Sequence, residues 1–195
     1  MNRSFKVALV AAAVAAIFPA SAFAHPMKGV GDFYAGMLHP LTTVETVLPL
    51  IALSLLAGQQ RRETAINIIA AFPASLALGA LLIAIRPLPA WLGTFELLMT
   101  AVAGLLIAWA RPFPRWIPIA LSVLIGLAIG WSNGAELTSD ISALRFVAGL
   151  AIVGLLATTY GTGLVRRFRM EWAQIAVRVV GSWLAAVGIL VFGLK

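Results

Sequence analysis

Six apolar stretches, each near twenty residues long, occupy positions 38–58, 64–86, 91–110, 115–131, 141–165 and 172–194. A helix needs about 20 such residues to cross ~30 Å of hydrocarbon. The expected fold is therefore all-α, a polytopic membrane bundle of about six transmembrane helices. Composition agrees, since 11% of the 195 residues are charged against about a quarter in a soluble domain. No polar stretch is long enough for a second, soluble domain. Turn or charge signals fill the breaks: Gln59-Gln60-Arg61-Arg62-Glu63, Arg86-Pro87-Leu88-Pro89, Arg111-Pro112-Phe113-Pro114-Arg115, Trp131 to Asp140, and Arg166-Arg167-Phe168-Arg169. Proline in such joints ends one helix and starts the next.

The first 24 residues read as a cleavable signal peptide. Arg3 and Lys6 precede an apolar run from Val7 to Phe18, and Ala22-Phe23-Ala24 supplies an A-x-A site. That run is too short to span a bilayer. Cleavage after Ala24 makes His25 the mature amino terminus and leaves a single transmembrane domain, 25–195.

Charge sets the expected direction. The formal net charge of +7 is spread in short clusters between apolar runs, which suits a lipid bilayer as partner and not nucleic acid. With the mature N-terminus periplasmic, the first, third and fifth loops are cytoplasmic. They carry Arg61, Arg62, Arg111, Arg115, Arg166, Arg167 and Arg169, whereas the other side carries Lys28, Arg86 and Lys195. Seven against three is a positive-inside pattern, and the export signal points the same way. The expected location is a bacterial inner membrane. The absence of cysteine excludes disulfides and thiolate metal sites.

Small residues suggest where helices meet. Gly126, Gly130 and Gly134 recur at intervals of four on the fourth span. Ser75 and Gly79 mark one face of the second span, and Thr100 and Gly104 one face of the third. Such residues let helix backbones approach closely in lipid. Trp91, Trp109, Trp116, Trp131 and Trp172 fall near the expected interfaces, as aromatic belts do. Arg178, two turns into the last span, is expected to snorkel or to meet Gln174 and Glu171.

Ionisable groups within spans cost ~2.5–3.5 kcal/mol or more at the centre and need a reason. Glu45, Glu96 and Arg145 fall in the periplasmic third of spans one, three and five, and Asn133 and Glu136 cap span four on that side. They suggest a polar vestibule. On a continuous first helix, His39, Thr42, Thr43, Glu45 and Thr46 share an arc of roughly 160°, with Pro49 inside it. Pro49 frees the carbonyl of Glu45. Imidazole, carboxylate and a freed carbonyl together suit a divalent cation such as nickel, cobalt or zinc. The competing expectation is an ion pair of Arg145 with Glu45 or Glu96 that only holds the bundle together. One arginine cannot neutralise both glutamates. His25 offers a second metal option, a terminal amine beside its own imidazole, with Asp32 within reach. Soluble-enzyme signatures are missing: there is no phosphate loop, dinucleotide glycine fingerprint, HExxH or serine elbow. An enzyme is not expected.

The segment Gly31-Asp32-Phe33-Tyr34-Ala35-Gly36-Met37-Leu38-His39-Pro40-Leu41 resembles the first-helix signature of the HupE/UreJ family, G-F-x-x-G-x-x-H-P-L-x-G-x-D-H. Glu96 with Thr100 and Gly104 is similar to that family's third-span pattern. Asn133-Gly134-Ala135-Glu136 resembles its H-G-x-E element, and 146–161 its fifth span. The resemblance implies a small six-span permease associated with nickel or cobalt uptake. It carries His39, Glu96 and Glu136 over as ligands, with Glu45 in place of an aspartate. This chain departs at Glu45-Thr46, where the family has Asp-His, at Asn133, where it has histidine, and near Thr159 and Tyr160, where a further histidine is missing. Fewer imidazoles shift preference toward harder cations or protons.

The expected function is thus uptake of a divalent transition metal. His39 and Glu45, with His25 and Asp32, are the metal ligands, and Thr42, Thr46, Glu96, Asn133, Glu136 and Arg145 line the path. Two alternatives stand beside it: a non-transporting membrane scaffold or assembly protein, and a proton-coupled carrier of another small solute.

Overall fold

The computed structural model describes residues 31–111, 113–137, 140–168 and 170–193. The expected signal peptide and His25 lie outside them. Among the described residues seven helices follow in order: α1 (Asp32–Thr42), α2 (Val44–Gln59), α3 (Arg62–Leu82), α4 (Leu92–Trp109), α5 (Trp116–Gly134), α6 (Ala143–Arg167) and α7 (Glu171–Gly193). Helices α3 to α7 are each long and apolar enough to cross a membrane, and α1 with α2 makes a sixth span if the bent pair counts as one. The bundle is all-helical among the described residues, with span ends close to those expected from the apolar runs.

The first span departs from expectation. It breaks at Thr43, and the two halves meet at 82°. Local chemistry accounts for the break. Pro40 lacks the N–H that would bond back into α1, and Thr42, Thr43 and Val44 are consecutive β-branched residues with stiff side chains. The Thr42 hydroxyl donates to the His39 carbonyl at 2.8 Å, occupying an acceptor in the last turn of α1. Thr43 is extended (φ −107°, ψ 124°) and ends one helix while starting the next.

Small residues fix the packing. On α5, a Cβ at Gly126 would overlap Ser75, one at Gly130 the Leu76 carbonyl, and one at Gly134 the Ala80 carbonyl. Backbone thus lies on backbone along α3 and α5, and the contacts advance together, so these helices run in the same direction. Gly104 of α4 meets Ala185 N and Gly181 O of α7, each 2.6 Å from an ideal Cβ, whereas Gly188 meets Leu97 and Ala101. That pair is antiparallel. Ser75, Gly79, Gly104 and the glycine stripe of α5 therefore sit at helix contacts, as their spacing suggests, and Thr100 is buried. Side chains of Leu53, Leu56, Phe72, Leu76, Ile107, Ile125, Ile129 and Leu150 fill the core and are fully buried. Helix α5 is the most enclosed of the five continuous spans, with 56% of its apolar window buried, and α7 the least at 22%.

Candidate functional site

Alternating span directions gather two sets of polar residues at opposite ends of the bundle. One end holds α1, the elbow at Thr43, the start of α4, the end of α5 and the start of α6. Nearly all the sequence-selected site residues that the structure describes fall here.

Helix α1 is clamped against α6. A Cβ at Gly36 would overlap the Phe146 carbonyl, and one at Gly149 the Phe33 carbonyl. Asp32 reinforces the crossing, because its Oδ2 accepts the backbone N–H of Ser142 at 3.1 Å. Ser142 is the N-cap residue of α6, where unpaired donors need acceptors. The carboxylate expected to bind metal therefore has a structural partner.

His39 lies in the last turn of α1, half-buried, and Glu45 in the first turn of α2, exposed. The arc expected on one helix does not form, because the break at Thr43 puts these residues on separate helices. They flank the elbow instead. Thr46 is buried, and its Oγ1 accepts from the Thr43 hydroxyl at 3.0 Å. Thr42 is exposed. Pro49 sits inside α2, so the Glu45 carbonyl loses its helical donor. The break also leaves the last carbonyls of α1 without helical partners, a locally negative end that favours cations.

Glu96 lies about one turn into α4, half-buried. Its Oε1 accepts a hydrogen bond from the Ser132 hydroxyl of α5, and its backbone carbonyl accepts from Thr100 at 2.7 Å. Ser132 escaped the sequence reading. The available signal was a hydroxyl on an otherwise apolar face, next to Asn133. Asn133 is buried inside α5, where Nδ2 donates to the Ile129 carbonyl at 2.8 Å and Oδ1 has no partner. Glu136 is half-buried in the turn beyond α5, and Arg145 is exposed in the first turn of α6.

No group of three or more His, Asp or Glu side chains placed to hold a metal occurs among the described residues. His39 and Glu45 supply one imidazole and one carboxylate at the elbow, and further oxygen there comes from threonines and backbone. Such a set is hard and sparse. Between this end and the other, the buried interior is mostly apolar, with Ala52, Leu53, Leu56, Ile107 and Leu150, and also holds the hydroxyls of Ser54, Thr158 and Thr162.

Arg166 and Arg178 sit at the far end. Arg166 Nη2 donates to the Gln60 carbonyl at 2.8 Å and Arg178 Nε to the Ala108 carbonyl at 3.2 Å. Arg178 thus ties α7 to the end of α4.

Comparison with known proteins fits this architecture. The family model described as HupE / UreJ protein matches residues 12–191. Protein HupE of Rhizobium leguminosarum bv. viciae is 27% identical over 184 residues, covering 94% of this chain and 95% of that protein. No solved structure matches. With a family match over residues 12–191, most of the chain, the chain belongs to the HupE/UreJ family of multi-pass membrane proteins.

Proposed function

We propose that this protein is an inner-membrane permease for a divalent transition metal, nickel or cobalt, taken up from the periplasmic side. The observation that carries the reading is the 82° break in the first span, with His39 and Glu45 on either side of it. Non-helical backbone in a span is tolerated where protein buries it or water lines it. Transporters use discontinuous helices in this way, with half-helix C-terminal ends and unwound carbonyls coordinating the cation. Family membership points to the same chemistry, and the arginine-rich loops set the direction.

The scarcity of imidazole suits passage better than retention, since a conducted ion must leave as readily as it enters. His39 and Glu45 take the ion first, Thr42 and Thr46 add hydroxyl oxygen, and Glu96 with Ser132 offers acidic character deeper along α4 and α5. Arg145 and Glu136 adjust the field at the mouth. The buried core below the elbow is mostly apolar, so inward release calls for a rearrangement of the bundle, with the elbow as the natural hinge.

Nickel and cobalt accumulation in cells expressing equal amounts of wild type, Glu45→Gln and His39→Ala tests this. Both variants are expected to accumulate several-fold less metal, and unchanged accumulation overturns the proposal. A second reading, a non-transporting scaffold, draws on the exposure of Glu45 and Arg145, which leaves both free to meet a partner protein. It predicts loss of a co-purifying partner in Glu45→Gln with no change in metal.

A further inference from the structure

A cavity of about 1030 Å³ opens at the end of the bundle opposite the elbow. It lies where α2, α4 and α6 end and where α3 and α7 begin. Its charged lining is Arg62, Arg166, Arg178 and Glu171, three positive groups against one negative. Exposed Trp109, Trp116 and Trp172 surround the same end, the level at which indole rings meet lipid headgroups.

Helix capping explains only part of these arginines. Arg166 and Arg178 each give one N–H to a carbonyl near a helix end, where acceptors lack helical donors. A guanidinium has five N–H groups in a rigid fork, so most donors remain for other use. Two residues of the wall also carry a buried atom without a hydrogen-bond partner, Arg166 Nε and Gln59 Oε1, packed beneath the cavity surface. The Gln59 amide is held by donation from Nε2 to the Ile107 carbonyl at 3.1 Å, so its oxygen is the atom left over. What the open cavity offers a ligand is the remaining guanidinium N–H groups of Arg62, Arg166 and Arg178, a basic lining suited to anionic oxygen.

We propose that this cavity binds a phosphate group, with Arg166 and Arg178 as its inner donors and Arg62 at the rim. Guanidinium forks match phosphate oxygens two at a time, and basic pockets between transmembrane helices on the cytoplasmic side suit anionic lipid headgroups. The phosphate belongs either to a phospholipid of that leaflet or to a soluble phosphate compound. The inference does not rest on metal permeation, because it concerns other residues at the other end of the bundle.

The test uses the full-length protein purified in a neutral detergent. Phosphatidylglycerol, phosphatidylcholine and inorganic phosphate are added separately, and binding is followed by native mass spectrometry and thermal stability. Wild type is expected to retain phosphatidylglycerol, inorganic phosphate or both, in preference to phosphatidylcholine. The double variant R166Q/R178Q is expected to bind at least about tenfold more weakly, the loss of one or more charge-assisted bonds. R111Q/R115Q removes equal charge outside the cavity and is expected to bind like wild type. Arg62→Gln leaves both carbonyl bonds in place, so a several-fold loss there keeps the test readable if the double variant does not fold. Retention of phosphatidylglycerol alone assigns a lipid, and a response to inorganic phosphate assigns a soluble compound. Equal binding of phosphatidylcholine, equal weakening in R111Q/R115Q, or no binding of either phosphate source overturns the proposal.

Discussion

Individual residues separate structural from chemical roles at the candidate site. Asp32 is the clearest case, since its carboxylate accepts the Ser142 N–H at the start of α6. Loss of a helix-capping acceptor costs about 1 kcal/mol. Asp32→Ala is therefore expected to lower the melting temperature, and Asp32→Asn, which keeps an acceptor oxygen, to retain most of the stability. Thermal unfolding of both variants in detergent checks this, and equal loss in the two would remove the capping role. Ala110 gives a second prediction. It ends α4 in the left-handed region (φ 53°), which costs a residue with a Cβ about 1–2 kcal/mol. Ala110→Gly relieves that strain and is expected to raise stability by roughly 0.5–1 kcal/mol after glycine's own entropic cost. A lower melting temperature would contradict the strain.

At the level of elements, helix existence and contact faces were legible in the sequence, and helix continuity in the first span was not. The glycines of α5 are recognisable because close backbone approach in lipid demands small residues at regular spacing. The same logic separates them from Gly163, beside which an added Cβ would meet nothing within 4 Å. Gly130→Val is expected to cost ~1–3 kcal/mol through overlap with α3, and Gly163→Ala to be neutral or mildly stabilising. Urea unfolding or detergent melting distinguishes the pair. The elbow was missed because apolar length reports only the distance a segment can cover, not whether its helix is continuous. Its signal was present in Thr42-Thr43-Val44, three β-branched residues between Pro40 and Pro49. Residue types likewise named Glu96 but not Ser132, because a hydroxyl donor on a neighbouring helix is set by how α4 meets α5, and spacing within one chain segment carries no record of that.

The whole molecule has two chemically different ends separated by a mostly apolar core. One carries His39, Glu45, Glu96 and the elbow, and the other carries arginines around an open cavity. A cation leaving by the second end meets net positive charge, which a bound phosphate would offset. The proposed orientation rests on the arginine distribution and is directly testable, because the natural chain has no cysteine. In spheroplasts a membrane-impermeant maleimide is expected to label Glu136→Cys at once and Arg115→Cys only after permeabilisation. The reverse pattern would invert the bundle. Permeation as proposed requires the broken first span to offer a divalent cation its entry point. Radiolabelled nickel or cobalt flux into proteoliposomes, compared between wild type and Glu45→Gln at matched protein content, tests this most directly. About a tenfold or greater fall in initial rate, a loss of transition-state stabilisation near 1.4 kcal/mol, is the predicted result, and a Glu45→Gln rate equal to wild type would contradict it.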